Sequence, residues 1–200
     1  MPAVDVAEIT MSNAILYYAP LGTALPADSL AVGGVWPVGW QRIGLSSAPL
    51  TVAYSFETKA PEIQEAMGTV KSKKISEEAT LETMMAQLNL TVLSNVWGGS
   101  TTLTPAGAGQ PAKEQFKIGG AAQMPLRLWG FEGEQENDAG LVFPVRGFIY
   151  RGTGDEGGDL EYSKEDYTGI PLKIIAHEDM TKPKGERLLT WYRITAPATV

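Results

Sequence analysis

Two runs of alternating residues, separated by a polar excursion, restrict the possible folds of this chain more than any other feature. In LTVAYSFET (50–58), Leu50, Val52, Tyr54 and Phe56 fall on one side and Thr51, Ala53, Ser55 and Glu57 on the other. In ISEEATLE (75–82), Ile75, Ala79 and Leu81 share one side and Ser76, Glu78, Thr80 and Glu82 the other, with Glu77 as the exception. A two-residue period marks a strand with one covered face. Between the runs lies KAPEIQEAMGTVKSKK (59–74), which has a proline, mixed charge and a turn candidate at Gly68 and is too polar to fill a core. The simplest arrangement is a long hairpin that pairs 50–57 with 75–82 and leaves 59–74 as an extended tip. Loops of that length in compact domains are uncommon unless they serve a function.

The hydrophobic period lengthens after the second run. Leu90, Leu93, Val96 and Trp97 recur at helical spacing, behind a candidate N-cap at Asn89 and ahead of a Gly98-Gly99 stop. The rest of the chain is extended segments punctuated by turns, in keeping with its 22 Gly and 13 Pro. A strand at 14–19 ends in PLGTALPAD, WPVGWQRIG (36–44) is a second extended piece, and the Pro/Gly-rich stretch 100–116 is a loop. QMPLRLWGF and LVFPVRGFIY are strands joined by an acidic turn, EGEQENDAG, with Pro144 suited to an edge or bulge. Ser163 caps a single helical turn through Asp166, Ile170, Leu172, Ile174 and Ala176 share one side of a strand, and RLLTWYRITA closes the chain. About eight strands and one short helix make the expected fold class mainly β, a β-sandwich or barrel-like domain spanning 1–200, with 1–13 as an N-terminal arm.

Chemistry is sparse. A formal net charge of -7 disfavours binding to nucleic acid or anionic membrane through phosphate contacts. With no cysteine, disulfides and thiolate metal sites are excluded. His177 is the sole histidine and no nucleophile elbow accompanies it, so it is better explained as a surface or hydrogen-bonded side chain than as part of a triad. The carboxylates of GTGDEGGD (152–159) sit in a plain hairpin loop without EF-hand spacing. Pairs such as Glu77 with Glu78, or Glu132 with Glu134, are expected on solvated faces and in loops. No enzymatic activity, metal or cofactor is expected, and no signal peptide or membrane anchor is legible.

The order of segments carries the functional signal. AILYYAPLGTALPADSL, GWQRIG, then EAMGTVKSKKISEEATLETMMAQL and the LTVLSNVWGG helix, followed by LRLWGF, LVFPVRGFIY and DLEYSKEDYTGIPLKIIAHED, resemble the major tail tube proteins of long-tailed, siphovirus-type bacteriophages. The resemblance implies a β-sandwich with a short flanking helix and a long extended hairpin loop, whose subunits form hexameric rings that stack into a hollow tube. It implies a lumen-facing set of Thr51, Ala53, Ser55, Glu57, Ser76, Glu78, Thr80 and Glu82, small or acidic side chains that leave a bore open and repel phosphate. The tip residues Lys59, Pro61, Glu62, Gln64, Glu65, Gly68, Lys71, Lys73 and Lys74 would then contact a neighbouring subunit. The implied partners are further copies of the chain, a tape measure protein, a tail terminator and distal tail proteins, with DNA passing through without specific binding. The implied location is the virion tail, after synthesis in the host bacterial cytoplasm. A carbohydrate-binding or adhesin-like β-sandwich is the alternative, and Trp36, Trp40, Trp97, Trp129 and Trp191 would be its stacking residues, although they are scattered along the sequence. A ring protein of the related contractile or secretion-tube type is a third.

Overall fold

The computed structural model describes residues 13–60, 71–87, 89–120, 124–137, 140–155, 157–160 and 169–196. In chain order the elements are β1 (Ile15–Ala19), β2 (Gln41–Arg42), β3 (Thr51–Lys59), β4 (Lys73–Met85), α1 (Leu90–Val96), β5 (Ser100–Thr104), β6 (Lys113–Lys117), β7 (Arg127–Glu136), β8 (Val142–Gly154), β9 (Ile170–Ala176) and β10 (Leu189–Arg193). The described residues are mainly β, 48% strand and 4% helix, as the alternating runs and the abundant turn residues led us to expect.

Eight strands form one antiparallel sheet in the order β2-β1-β7-β8-β9-β4-β3, with β10 also paired to β8. The long β8 serves two neighbours in succession, β10 along Val145–Ile149 and β9 along Gly152–Gly154, while β7 takes its other edge. The sheet curls back on itself. Beyond β2, Ser46 bridges Met85, and Ser47 N and Ala86 N donate to the Met84 and Leu45 carbonyls. Leu16 and Tyr18 of β1 therefore share one core with Ala79, Leu81 and Met85 of β4, although β7, β8 and β9 intervene in the sheet. Such curling gives the sandwich or barrel-like form, because an open flat sheet would leave one of these faces wet.

The helix begins where the capping residue predicts. Asn89 Oδ1 accepts from Thr91 N and Val92 N, and Gly98 and Gly99, at φ 77° and 98°, carry the chain out of it. Leu93 and Val96 are buried and Leu90 and Trp97 pack against the core, but Val92 and Asn95 are buried as well. More than one stripe is covered because α1 touches β5 and β6 on one side and β8 and β9 on the other.

Three local expectations change. Residues 100–116 are not a loop: Ser100–Thr104 and Lys113–Lys117 pair as a two-stranded ribbon, since the β-branched threonines alternate freely once Pro and Gly are confined to the turn at 105–112. The acidic segment after Phe131 continues β7 as far as Glu136, beyond which Asn137 N donates to Leu141 O and Asn137 Oδ1 accepts from Leu141 N. The 36–44 piece contributes just Gln41–Arg42 to the sheet. The helical turn expected from Ser163 lies outside the described residues.

Candidate functional site

The β3–β4 register sets Thr51 opposite Glu82, Ala53 opposite Thr80, Ser55 opposite Glu78 and Glu57 opposite Ser76. Directly opposed residues of an antiparallel pair share a face, so all eight residues expected in the lumen lie in two facing rows on one side of the sheet. β9 extends that face, with Lys173 opposite Glu82 and Ile175 opposite Thr80. Lys173 Nζ is 3.7 Å from Glu82 and 3.1 Å from Asp155, so a cation sits within a set expected to be acidic. The sequence places Lys173 on the polar side of its strand but carries no sign that β9 adjoins β4. Thr80 is buried, whereas the other seven are exposed.

Toward the tip, the hairpin leaves the body of the molecule. From Ala53 to Lys59 and from Lys73 to Glu78, every residue is exposed, whichever face it is on. Tyr54 and Phe56, expected to face the core with Val52, are instead 49% and 54% exposed, and an open groove separates Tyr54 from Leu188 and Leu189. A β-bulge between Glu57 and Thr58 shifts the register so that Thr58 pairs with Lys74. Lys74 then lies on the aromatic side. Its ammonium group donates to Tyr54 Oη at 2.6 Å, stands 3.2 Å from Glu77 and lies 5.2 Å and 4.7 Å from the Tyr54 and Phe56 ring centres. Tyr54 Oη donates to Glu77 at 2.9 Å. Glu77, which broke the alternation, opposes Phe56 and is held on this side by these two partners. Hydrogen bonds from Tyr54 and then Lys74 keep its carboxyl below the usual range, and bonds to Tyr54 and Glu77 raise Lys74. Of the residues expected at a subunit contact, Lys59, Lys73 and Lys74 lie on this ribbon and Lys71 is exposed just before it; Pro61, Glu62, Gln64, Glu65 and Gly68 lie outside the described residues.

A second polar centre was hidden from the sequence. Glu132, expected in a solvated loop, is 1% exposed, and Arg146, directly opposite on β8, is 0% exposed, with Nε to Oε2 at 2.7 Å. The other guanidinium nitrogens donate to Ala27 O (3.0 Å) and Leu30 O (2.6 Å), and Gly33 N donates to Glu132 Oε1 (2.9 Å). A buried ion pair survives only when its remaining polar valences are filled, and here the 27–33 loop fills them. All three guanidinium nitrogens are thus engaged, which makes the centre a structural clamp.

A family model described as phage tail tube protein matches residues 1–199. The chain belongs to the phage tail tube protein family. No curated protein matches it. The family is a structural one, and its members assemble with one another and with other tail proteins, which makes this tail tube protein a component of the virion tail.

Among the described residues, no group of three or more His, Asp or Glu side chains is placed to hold a metal ion, and no helix is long and apolar enough to cross a membrane. His177 of the tail tube protein is exposed, its Nε2 2.8 Å from Thr153 Oγ1, and Asp155 pairs with Lys173. Two of the tryptophans do cluster. Trp36 stacks on Tyr17 at 4.0 Å and meets Trp40 edge-on at 4.7 Å, but these rings pack on one another and on Phe148. Trp129 is buried with its Nε1 donating to Gly152 O, Trp97 packs on the core, and Trp191 is exposed with its edge on Phe131.

Proposed function

We propose that this tail tube protein folds as a single domain over 1–200 and forms hexameric rings that stack into the hollow tail of a siphovirus-type phage, through which DNA passes into the host. The β3–β4 ribbon is the part that each subunit lends to its neighbours, and the face carrying Thr51, Ala53, Ser55, Glu57, Ser76, Glu78 and Glu82 lines the lumen. DNA meets mostly small and acidic side chains there, with Lys173 held by Glu82 and Asp155, and passes without specific binding. The tip around 59–74, including Lys59, Lys71, Lys73 and Lys74, contacts an adjacent subunit. The protein catalyses no reaction and needs no cofactor. It is made in the host cytoplasm and joins a tape measure protein, a terminator and distal tail proteins.

The observation that carries this proposal is the ribbon exposed on both faces. An isolated two-stranded ribbon is marginal in water, and one bearing Tyr54, Phe56 and Ile75 gains stability only when a third surface covers it. An adhesin-like role has less support, since the clustered tryptophans are used up in mutual packing. Electron microscopy of the purified protein tests the proposal: long hollow filaments with sixfold end views are expected. Persistent monomers, or single rings that never stack even when tail extracts are added, would overturn it.

A further inference from the structure

The aromatic side of the ribbon shows a feature that tube formation alone does not require. Tyr54 and Phe56, with ring centres 6.0 Å apart, form an exposed aromatic pair, and Tyr54 lines a groove of about 510 Å³ together with Leu188, Leu189 and the charged Glu77, Glu178, Lys184 and Arg187. Exposed aromatic side chains beside apolar and charged neighbours are the usual anatomy of an interaction hot spot. The same strand, β3, pairs only with β4 among the described residues, so it also offers an edge. An exposed edge with apolar side chains invites uncontrolled pairing, and proteins commonly guard such edges with lysine or a bulge. This ribbon has both. The bulge at Glu57/Thr58 brings Lys74 to the aromatic side, where its ammonium lies over both rings and is held by Tyr54 Oη and Glu77.

We propose that the Tyr54–Phe56 pair is a docking surface for a second copy of this chain, and that Lys74 is a removable cover on it which restrains self-association of the free subunit. This rests on the proposed role of the ribbon in assembly. The occupant is another copy because members of the family assemble with themselves and because the surface lies on the ribbon that leaves the subunit body. The cover is weak by construction. Lys74 and Glu77 are each about two-fifths exposed, and an exposed cation–π contact or ion pair is readily given up. A neighbour that supplies apolar surface and its own polar partners draws the ammonium off the rings and onto those partners without unfolding anything. A permanent cover would need a buried counter-ion of the kind that Glu132 gives Arg146.

The test measures self-association of the purified subunit by analytical sedimentation over a concentration series, with electron microscopy of any pellet. Lys74→Gln removes the charge and keeps the length, and it should self-associate at concentrations roughly 2- to 10-fold below the parental chain, the factor set by one weak cation–π contact and one exposed ion pair. Lys74→Arg retains a cation that can lie over the rings and should match the parent. A Lys74→Gln protein that associates at the parental concentration or above overturns the cover. The double change Tyr54→Ser with Phe56→Ser addresses the surface itself and should abolish assembly. If that double variant still builds tubes at the parental concentration, the ribbon's role in assembly fails. If it is inert while Lys74→Gln is unchanged, only the cover fails.

Discussion

At the scale of single residues, the Arg146–Glu132 pair carries the greatest energetic consequence. Both groups are removed from water, so each depends on the other and on the carbonyls and amide of the 27–33 loop. Arg146→Ala leaves Glu132 buried without its counter-ion and should destabilise the subunit by about 3–5 kcal/mol, read from urea denaturation. Replacing both together, Arg146→Met with Glu132→Leu, removes the uncompensated charge and should cost less than Arg146→Ala alone, although the loop then loses its anchors. A loss below about 1 kcal/mol for Arg146→Ala would mean that water reaches the pair. Asp179 offers a pH-dependent test. Thr181 donates to its Oδ1 from both hydroxyl and backbone N–H, which holds the carboxyl below its ordinary value. Because the folded-state pKa is depressed, the stabilisation is complete above the unfolded value and is lost as pH falls through the folded one. Amide protection at Thr181 should therefore decline below about pH 4, and Asp179→Ala should remove it at every pH.

At the scale of elements, α1 shows how a local pattern can be correct and still misjudge the balance. The stripe Leu90, Leu93, Val96 and Trp97 singles out Trp97 as the largest side chain, which suggests that it is the costliest to truncate. In the fold, Trp97 is half-buried at the C-cap, while Leu93 and Val92 are almost fully enclosed. Leu93→Ala should therefore cost about 2–5 kcal/mol in thermal or urea unfolding, and Trp97→Ala less than the same change at a fully enclosed site. The reverse order would mean that the helix end is more deeply seated than the exposure of Trp97 indicates. Close approach of α1 to the sheet relies on a missing side chain, since a Cβ on Gly154 of β8 would overlap the Val96 carbonyl oxygen.

At the scale of the whole molecule, charge on the proposed lumen face is the property that a tube multiplies. Glu57 and Glu78 lie toward the tip of the ribbon, whereas Glu82 is near Lys173, so the three carboxylates are not equivalent. Glu57→Lys with Glu78→Lys should leave the subunit folded and the tubes intact, but DNA ejection should slow, with partial rescue at higher salt, because each new cation gains a screened phosphate contact. Glu57→Gln with Glu78→Gln should be much milder, removing repulsion without adding attraction. Adding Glu82→Lys introduces repulsion with Lys173 and should also lower stability. Virions carrying the two lysines that eject DNA at the parental rate would show that these residues do not line the channel.

The alternation in 50–58 and 75–82 was enough to pair β3 with β4 and to group eight residues on one face, and the 90–97 spacing with its caps located α1 between Asn89 and Gly98, because period and capping are set by neighbours in the chain. Alternation reports which side of a strand is apolar. It does not report how closely anything packs on that side, and so Tyr54 and Phe56 read as core while an open groove beside Tyr54 leaves them exposed. The buried clamp escaped for a related reason: Glu132 and Arg146 look like ordinary charges until β7 and β8 set them opposite each other and the 27–33 loop closes over them. Lys173 entered the proposed lumen only because β9 pairs with β4, and the 100–116 ribbon formed where composition alone suggested a loop. Strand neighbours and layer coverage depend on contacts far apart in sequence, whose free energy comes from excluding water between segments that carry no local mark of each other.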